Sequence, residues 1–205
     1  MIGVQVQPRD RVLRELDQRD GYVRDRDIRN AGVDPHLLAR LVEEGVLERV
    51  ARGLYRRADT WSEYRALVDA AVAAPHAVVC LLSALEYYGL TTTVPPEVYL
   101  AVPRKARPPR LAYPPLHVIR YNDRMFGYGI TEQTLPDSKA RVRMYSREKS
   151  IADAIHFAGR VGRDIGIEAL RVYLRQSGRD VDELLRAAEV CRVRPRVTAY
   201  LEMVS

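Results

Sequence analysis

Between residues 9 and 45 the apolar positions come in three short bursts at helical spacing, each closed by a glycine. Val12, Leu13 and Leu16 precede Gly21, Val23, Ile28 and Ala31 precede Gly32, and Leu37, Leu38, Leu41 and Val42 precede Gly45. The third burst is the best punctuated: Asp34 offers an N-cap oxygen, and Pro35 suits a first turn whose amide has no partner anyway. Its apolar stripe leaves His36, Ala39, Arg40 and Glu43 on the opposite face. Two β-type runs follow, Val46 to Val50 and Leu54 to Arg57, around the turn Ala51-Arg52-Gly53. Three short helices and a hairpin, in that order, predict a winged helix-turn-helix over residues 1–59.

From Trp61 the texture changes. Helices are expected over Trp61 to Ala74 and Val78 to Tyr88, then strands over Val98 to Val102, His117 to Tyr121, Tyr128 to Gln133 and Ala140 to Tyr145. Helical spacing returns in Arg147 to Ala158, Ile165 to Gln176, Val181 to Val190 and Pro195 to Met203. The expected fold class is α+β: the winged helix, then a mixed α/β domain over residues 60–205 with a small antiparallel or mixed sheet and a helical C-terminus.

Charge sharpens this picture locally rather than globally. The chain holds 33 Lys and Arg against 27 Asp and Glu, a net charge of +6 over 205 residues, and residues 9–57 sum to only +2 from twelve arginines and ten carboxylates. Residues 46–57, however, carry Arg49, Arg52, Arg56 and Arg57 against Glu48 alone. Guanidinium groups on a hairpin are suited to phosphates, and polar side chains projecting from a helix are suited to base edges. The expected DNA-binding residues are therefore His36 and Arg40 on the third helix with Arg49, Arg52, Arg56 and Arg57 on the wing. A second basic run, Arg104, Lys105, Arg107 and Arg110, continued by Arg120 and Arg124 against Asp123, is a candidate secondary surface for nucleic acid or an acidic partner.

Catalytic patterns are thin. The four histidines are scattered, the two cysteines (Cys80, Cys191) lack CxxC spacing, and Ser83 in LLSAL lacks the glycines of a nucleophile elbow. No phosphate-cradling glycine motif occurs, and VYLAV (98–102) holds no carboxylate pair for Mg²⁺. Glu148 and Asp153, five apart in REKSIADAI, read as a helix-terminus charge and a polar contact to the sheet. No enzyme activity, metal or cofactor is expected. The start MIGVQVQPRD has no leader pattern, and the longest apolar run is broken by Pro75, His76 and Ser83, so a cytoplasmic protein without membrane contact is expected.

The segments GYVRDRDIRNAGVDPHLLARLVEEGVLERVARGLYRR, SALEYYGL, EVYLAVPRKAR and YSREKSIADAI together resemble the AbiEi antitoxin family of type IV toxin–antitoxin systems. The resemblance implies a winged helix that binds inverted repeats in its own promoter and represses the operon. It also implies a C-terminal domain needed for antitoxicity, acting against a nucleotidyltransferase-like toxin without a stable complex. The residues matching its DNA surface are His36, Arg40, Arg49, Arg52 and Arg56. Two alternatives stay open at this stage: an enzyme remnant or RNA- or nucleotide-binding protein using residues 104–124, and an interaction module docking a partner through Tyr87 and Tyr88.

Overall fold

A computed structural model describes residues 7–136 and 138–204; residues 1–6, where the absence of a leader was read, lie outside the described residues. The N-terminal part runs α1 (Pro8–Gln18), β1 (Tyr22–Arg24), α2 (Asp25–Asn30), α3 (His36–Glu43), β2 (Leu47–Ala51) and β3 (Leu54–Arg57). The three predicted helices and the hairpin are present; Tyr22 to Arg24, expected to open the second helix, instead forms a strand. That strand pairs with β3, giving an antiparallel sheet in the order β1-β3-β2. Its start is fixed by Gly21, whose positive φ turns the chain out of α1, and its end by the Asp27 carboxylate, which accepts the Arg24 amide at 2.9 Å and starts α2. Val12, Leu16, Val23, Ile28, Leu38, Leu41 and Leu47 make one apolar core between the helices and one face of the sheet.

The rest of the chain continues with α4 (Arg65–Ala73), β4 (Val78–Val79), α5 (Leu81–Tyr87), β5 (Val98–Pro103), β6 (Leu116–Tyr121), α6 (Asp123–Phe126), β7 (Ile130–Thr134) and β8 (Arg141–Tyr145). It ends in the helices α7 (Arg147–His156), α8 (Ala158–Val161), α9 (Arg163–Arg175), α10 (Val181–Val190) and α11 (Arg194–Val204). The five strands form one mixed sheet in the order β6-β5-β4-β8-β7, so the molecule is α+β as expected. Along β5 the side chains alternate between two cores: Val98, Leu100 and Val102 face α4, while Tyr99 and Ala101 face the helices α5 and α7 to α11. A strand buried on both faces reads as a continuous apolar run, and VYLAV does.

Two expected helices begin late here, α4 at Arg65 rather than Trp61 and α5 at Leu81 rather than Val78, and the same ambiguity explains the second. Val78 to Leu82 is uniformly apolar, and periodicity cannot separate a buried strand from a buried helix there. Val78 and Val79 form the central strand, Cys80 is extended, Leu81 takes a φ of 46°, and the helix starts only then. Ser83, considered above as a nucleophile, accepts the Tyr99 amide at 2.9 Å in the interior.

Candidate nucleic-acid interface and its junction

The wing turns on two residues, Arg52 and Gly53, between the paired Ala51 and Leu54. Gly53 sits at φ +68°, and a Cβ there would lie 2.8 Å from an Asp25 carboxylate oxygen, so only glycine fits both the turn and the close approach to α2. The turn pushes Arg52 fully outward, and Arg49, on the edge strand, is exposed beside it.

Strand alternation then divides the hairpin arginines. One cross-strand row is Val23, Tyr55 and Arg49; the next, on the other face, is Tyr22, Arg56 and Glu48. The first face covers the helical core, and the second faces α4. Arg56 consequently lies at 7% exposure between two acids, its Nη2 donating to Glu48 at 2.5 Å and its Nε 3.3 Å from Asp69 of α4. The expectation that Arg56 contacts DNA is corrected by this placement: its guanidinium is enclosed beneath α4. Arg57 is half-buried and donates to Asp17 of α1 at 2.6 Å, which ties the end of the wing to the first helix.

The N-cap of α3 is Pro35 rather than the expected Asp34, whose carboxylate sits one residue earlier and accepts the His36 amide at 2.9 Å. His36 and Arg40 are both exposed. Arg40 reaches Glu44 at 3.3 Å with its side chain still 72% exposed. An exposed i,i+4 pair of this kind contributes only about 0.3–0.5 kcal/mol, whereas a good contact to a base edge is worth roughly 1–3 kcal/mol, so Glu44 does not hold Arg40 back. The structure thus brings His36, Arg40, Arg49 and Arg52 to the surface and removes Arg56 from it.

Sequence reasoning missed the junction itself. The Tyr22 hydroxyl donates to Asp69 at 2.8 Å, Arg24 donates to the Val72 carbonyl at 2.6 Å, and one oxygen of Asp20 accepts from the Ser138 hydroxyl and the amides of Lys139 and Ala140 at 2.6–2.8 Å. Burial pushes the Asp69 carboxyl above its ordinary range, against the opposing pull of the Tyr22 hydroxyl and Arg56, and drives the Tyr22 phenol well up. The available signal was a lone acid in the otherwise apolar RALVDAAVA, since a buried charge requires a partner.

The expected roles elsewhere also shift. Tyr87 and Tyr88 are half-buried, with Tyr87 edge-on to Tyr64 at 5.4 Å, so the pair is not the exposed anchor considered above. Asp153, expected to contact the sheet, forms a fully buried pair with Lys149, both carboxylate oxygens at 2.6 Å from Nζ. Glu148 accepts from the Tyr173 hydroxyl at 2.7 Å in the interior. Among the described residues no three His, Cys, Asp or Glu side chains cluster as metal ligands, and no helix is long and apolar enough to cross a membrane.

Comparison with known proteins agrees with this geometry. No curated protein matches the sequence. The crystal structure of the Rv2827c protein from Mycobacterium tuberculosis is similar at a TM-score of 0.56 and 17% identity, over 95% of this chain and 80% of that one, a likeness of fold. Residues 10–58 match the family described as transcriptional regulator, AbiEi antitoxin. Over that span, which ends before α4, the chain is similar to the transcriptional-regulator domain of the AbiEi antitoxins.

Proposed function

We propose that the chain is a cytoplasmic, non-enzymatic repressor of the AbiEi antitoxin type, with a winged-helix domain over residues 1–59 and a second domain over 60–205. It binds inverted repeats in its own promoter and counters a nucleotidyltransferase-like toxin without forming a stable complex. The observation that carries this reading is the exposed set His36, Arg40, Arg49 and Arg52 on a helix and a wing tip inside the regulator-domain match. His36 and Arg40 read base edges in the major groove, and Arg49 and Arg52 hold the flanking phosphates.

Gel-shift titration of the full chain on its own upstream region tests this. Wild type prefers that duplex over scrambled DNA by at least roughly 10³-fold. Arg52→Ala weakens both duplexes alike and lowers the salt slope by about 0.9, the value of one lost phosphate contact. Arg40→Ala costs roughly 1–3 kcal/mol on the cognate duplex and less elsewhere. Titrations of Arg52→Ala that overlay wild type would place the interface elsewhere.

A further inference from the structure

The link between the parallel strands β5 and β6 spends no residues on a helix and instead runs as PRKARPPRLAYPP over residues 103–115. It is anchored at both ends: Pro103 lies in β5, Ala106 packs on the core beneath α4 with its amide on the Pro103 carbonyl at 2.9 Å, and Pro114 is buried just before β6. Between those anchors Arg104, Lys105, Arg107, Arg110, Ala112 and Tyr113 are exposed, while Ala106, Pro108, Pro109 and Leu111 are partly covered. Five prolines in thirteen residues remove much of the conformational freedom that binding would otherwise have to remove.

The chemistry of this row is one-sided. Among the described residues no carboxylate lies within ion-pair distance of Arg104, Lys105, Arg107 or Arg110, so these four cations, like Arg49 and Arg52 on the wing, are not neutralised by a neighbouring acid. The row ends on Tyr113, a residue 67% exposed. Cations alone suit any polyanion; an aromatic ring set in line with them discriminates. Bases in a duplex are already stacked on each other, and an acidic peptide offers no π-face in register with its charges. A single strand offers both a repeating phosphate and an unstacked base.

We propose that residues 104–113 are a binding track for single-stranded nucleic acid, with Arg104, Lys105, Arg107 and Arg110 on successive phosphates and Tyr113 stacked on a base. The site is separate from the winged-helix interface and does not depend on the repressor reading.

Fluorescence anisotropy with the full chain decides it, using labelled 12-nucleotide oligo(U) and oligo(dT), a 12-base-pair duplex of scrambled sequence, and a poly-glutamate peptide as competitor. Wild type binds the single strands more tightly than the duplex. Tyr113→Ala weakens them roughly tenfold while Tyr113→Phe does not, since stacking needs the ring and not the hydroxyl. The double substitution Arg107→Ala and Arg110→Ala lowers the single-strand salt slope by about 1.4, or about 0.7 for each cation removed. Arg52→Ala, which tests the wing, leaves single-strand binding unchanged. A preference for oligo(U) assigns the track to RNA, and equal affinities assign it to single strands in general. Absence of single-strand binding, equal binding of the duplex, an unaltered Tyr113→Ala variant, or displacement of the oligonucleotide from wild type and Tyr113→Ala alike by poly-glutamate overturns the proposal. All four variants lie at exposed loop positions, and unchanged circular dichroism and thermal melting show that they fold.

Discussion

Two buried ion pairs hold this molecule in different ways. At the junction, Arg56 meets Asp69, but each has a second resource: Arg56 also reaches Glu48, whose side chain is 49% exposed, and Asp69 also accepts from the Tyr22 hydroxyl. In the larger core, Lys149 and Asp153 are both 0% exposed and look chiefly to each other. What else surrounds them is soft: the Cys191 thiol 3.2 Å from Asp153 and the rings of Tyr145 and Tyr121 at 4.2 and 5.0 Å from the Lys149 nitrogen. The difference teaches that a buried charge is as vulnerable as its list of alternatives is short. The junction tolerates rearrangement, and the core does not.

The largest effect is therefore expected at Lys149. Lys149→Met leaves Asp153 uncompensated in an enclosed site and costs about 3–5 kcal/mol in chemical denaturation, whereas Lys149→Met with Asp153→Leu recovers most of that loss because neither charge remains. A double variant as unstable as the single one would show that packing, not charge, dominates there. Arg56→Ala comes next, at about 1–3 kcal/mol, because Asp69 keeps the Tyr22 hydroxyl and can take up a proton. Its distinguishing sign is calorimetric: the single melting transition of wild type broadens or splits as the two sheets lose their shared contact with α4.

The smallest effect is a pH dependence at Asp69. Burial raises its folded-state pKa above the model-peptide 3.8, so the folded chain holds this proton more tightly than the unfolded chain does. Wild type accordingly loses stability relative to Asp69→Asn as pH rises from 3.8 through the raised value, and the difference stays constant above it. Paired denaturation curves at several pH values measure this, and a difference that moved the other way would mean that Arg56 outweighs desolvation.

Most of the element order was legible because it rests on local signals. Gly32 and Gly45 close helices, Asp34 and Pro35 lead into one, and the turn at Gly53 makes a hairpin. Local pattern failed where the determinant was a neighbour distant in sequence. Val78 and Val79 became a strand because β5 and β8 flank them on both sides. Arg56 became a junction residue because α4, which starts nine residues on and places Asp69 thirteen residues on, covers that face of its strand. Period-two alternation alone separates Leu54 and Arg56 from Tyr55 and Arg57, yet it does not say which face is covered, and a count of hairpin arginines treats all of them as equals. The i,i+4 spacing of Lys149 and Asp153 amid apolar neighbours is visible in the sequence, although spacing alone does not say that both are buried.

The position of α4 between the two sheets bears on inheritance. A winged helix cut out at residue 58 would arrive in any new host with the Arg56 guanidinium and the Tyr22 hydroxyl on its underside, both of which expect a carboxylate from elsewhere. Exchange of this reading head between regulators by simple recombination is thereby penalised unless the helix that follows it travels too.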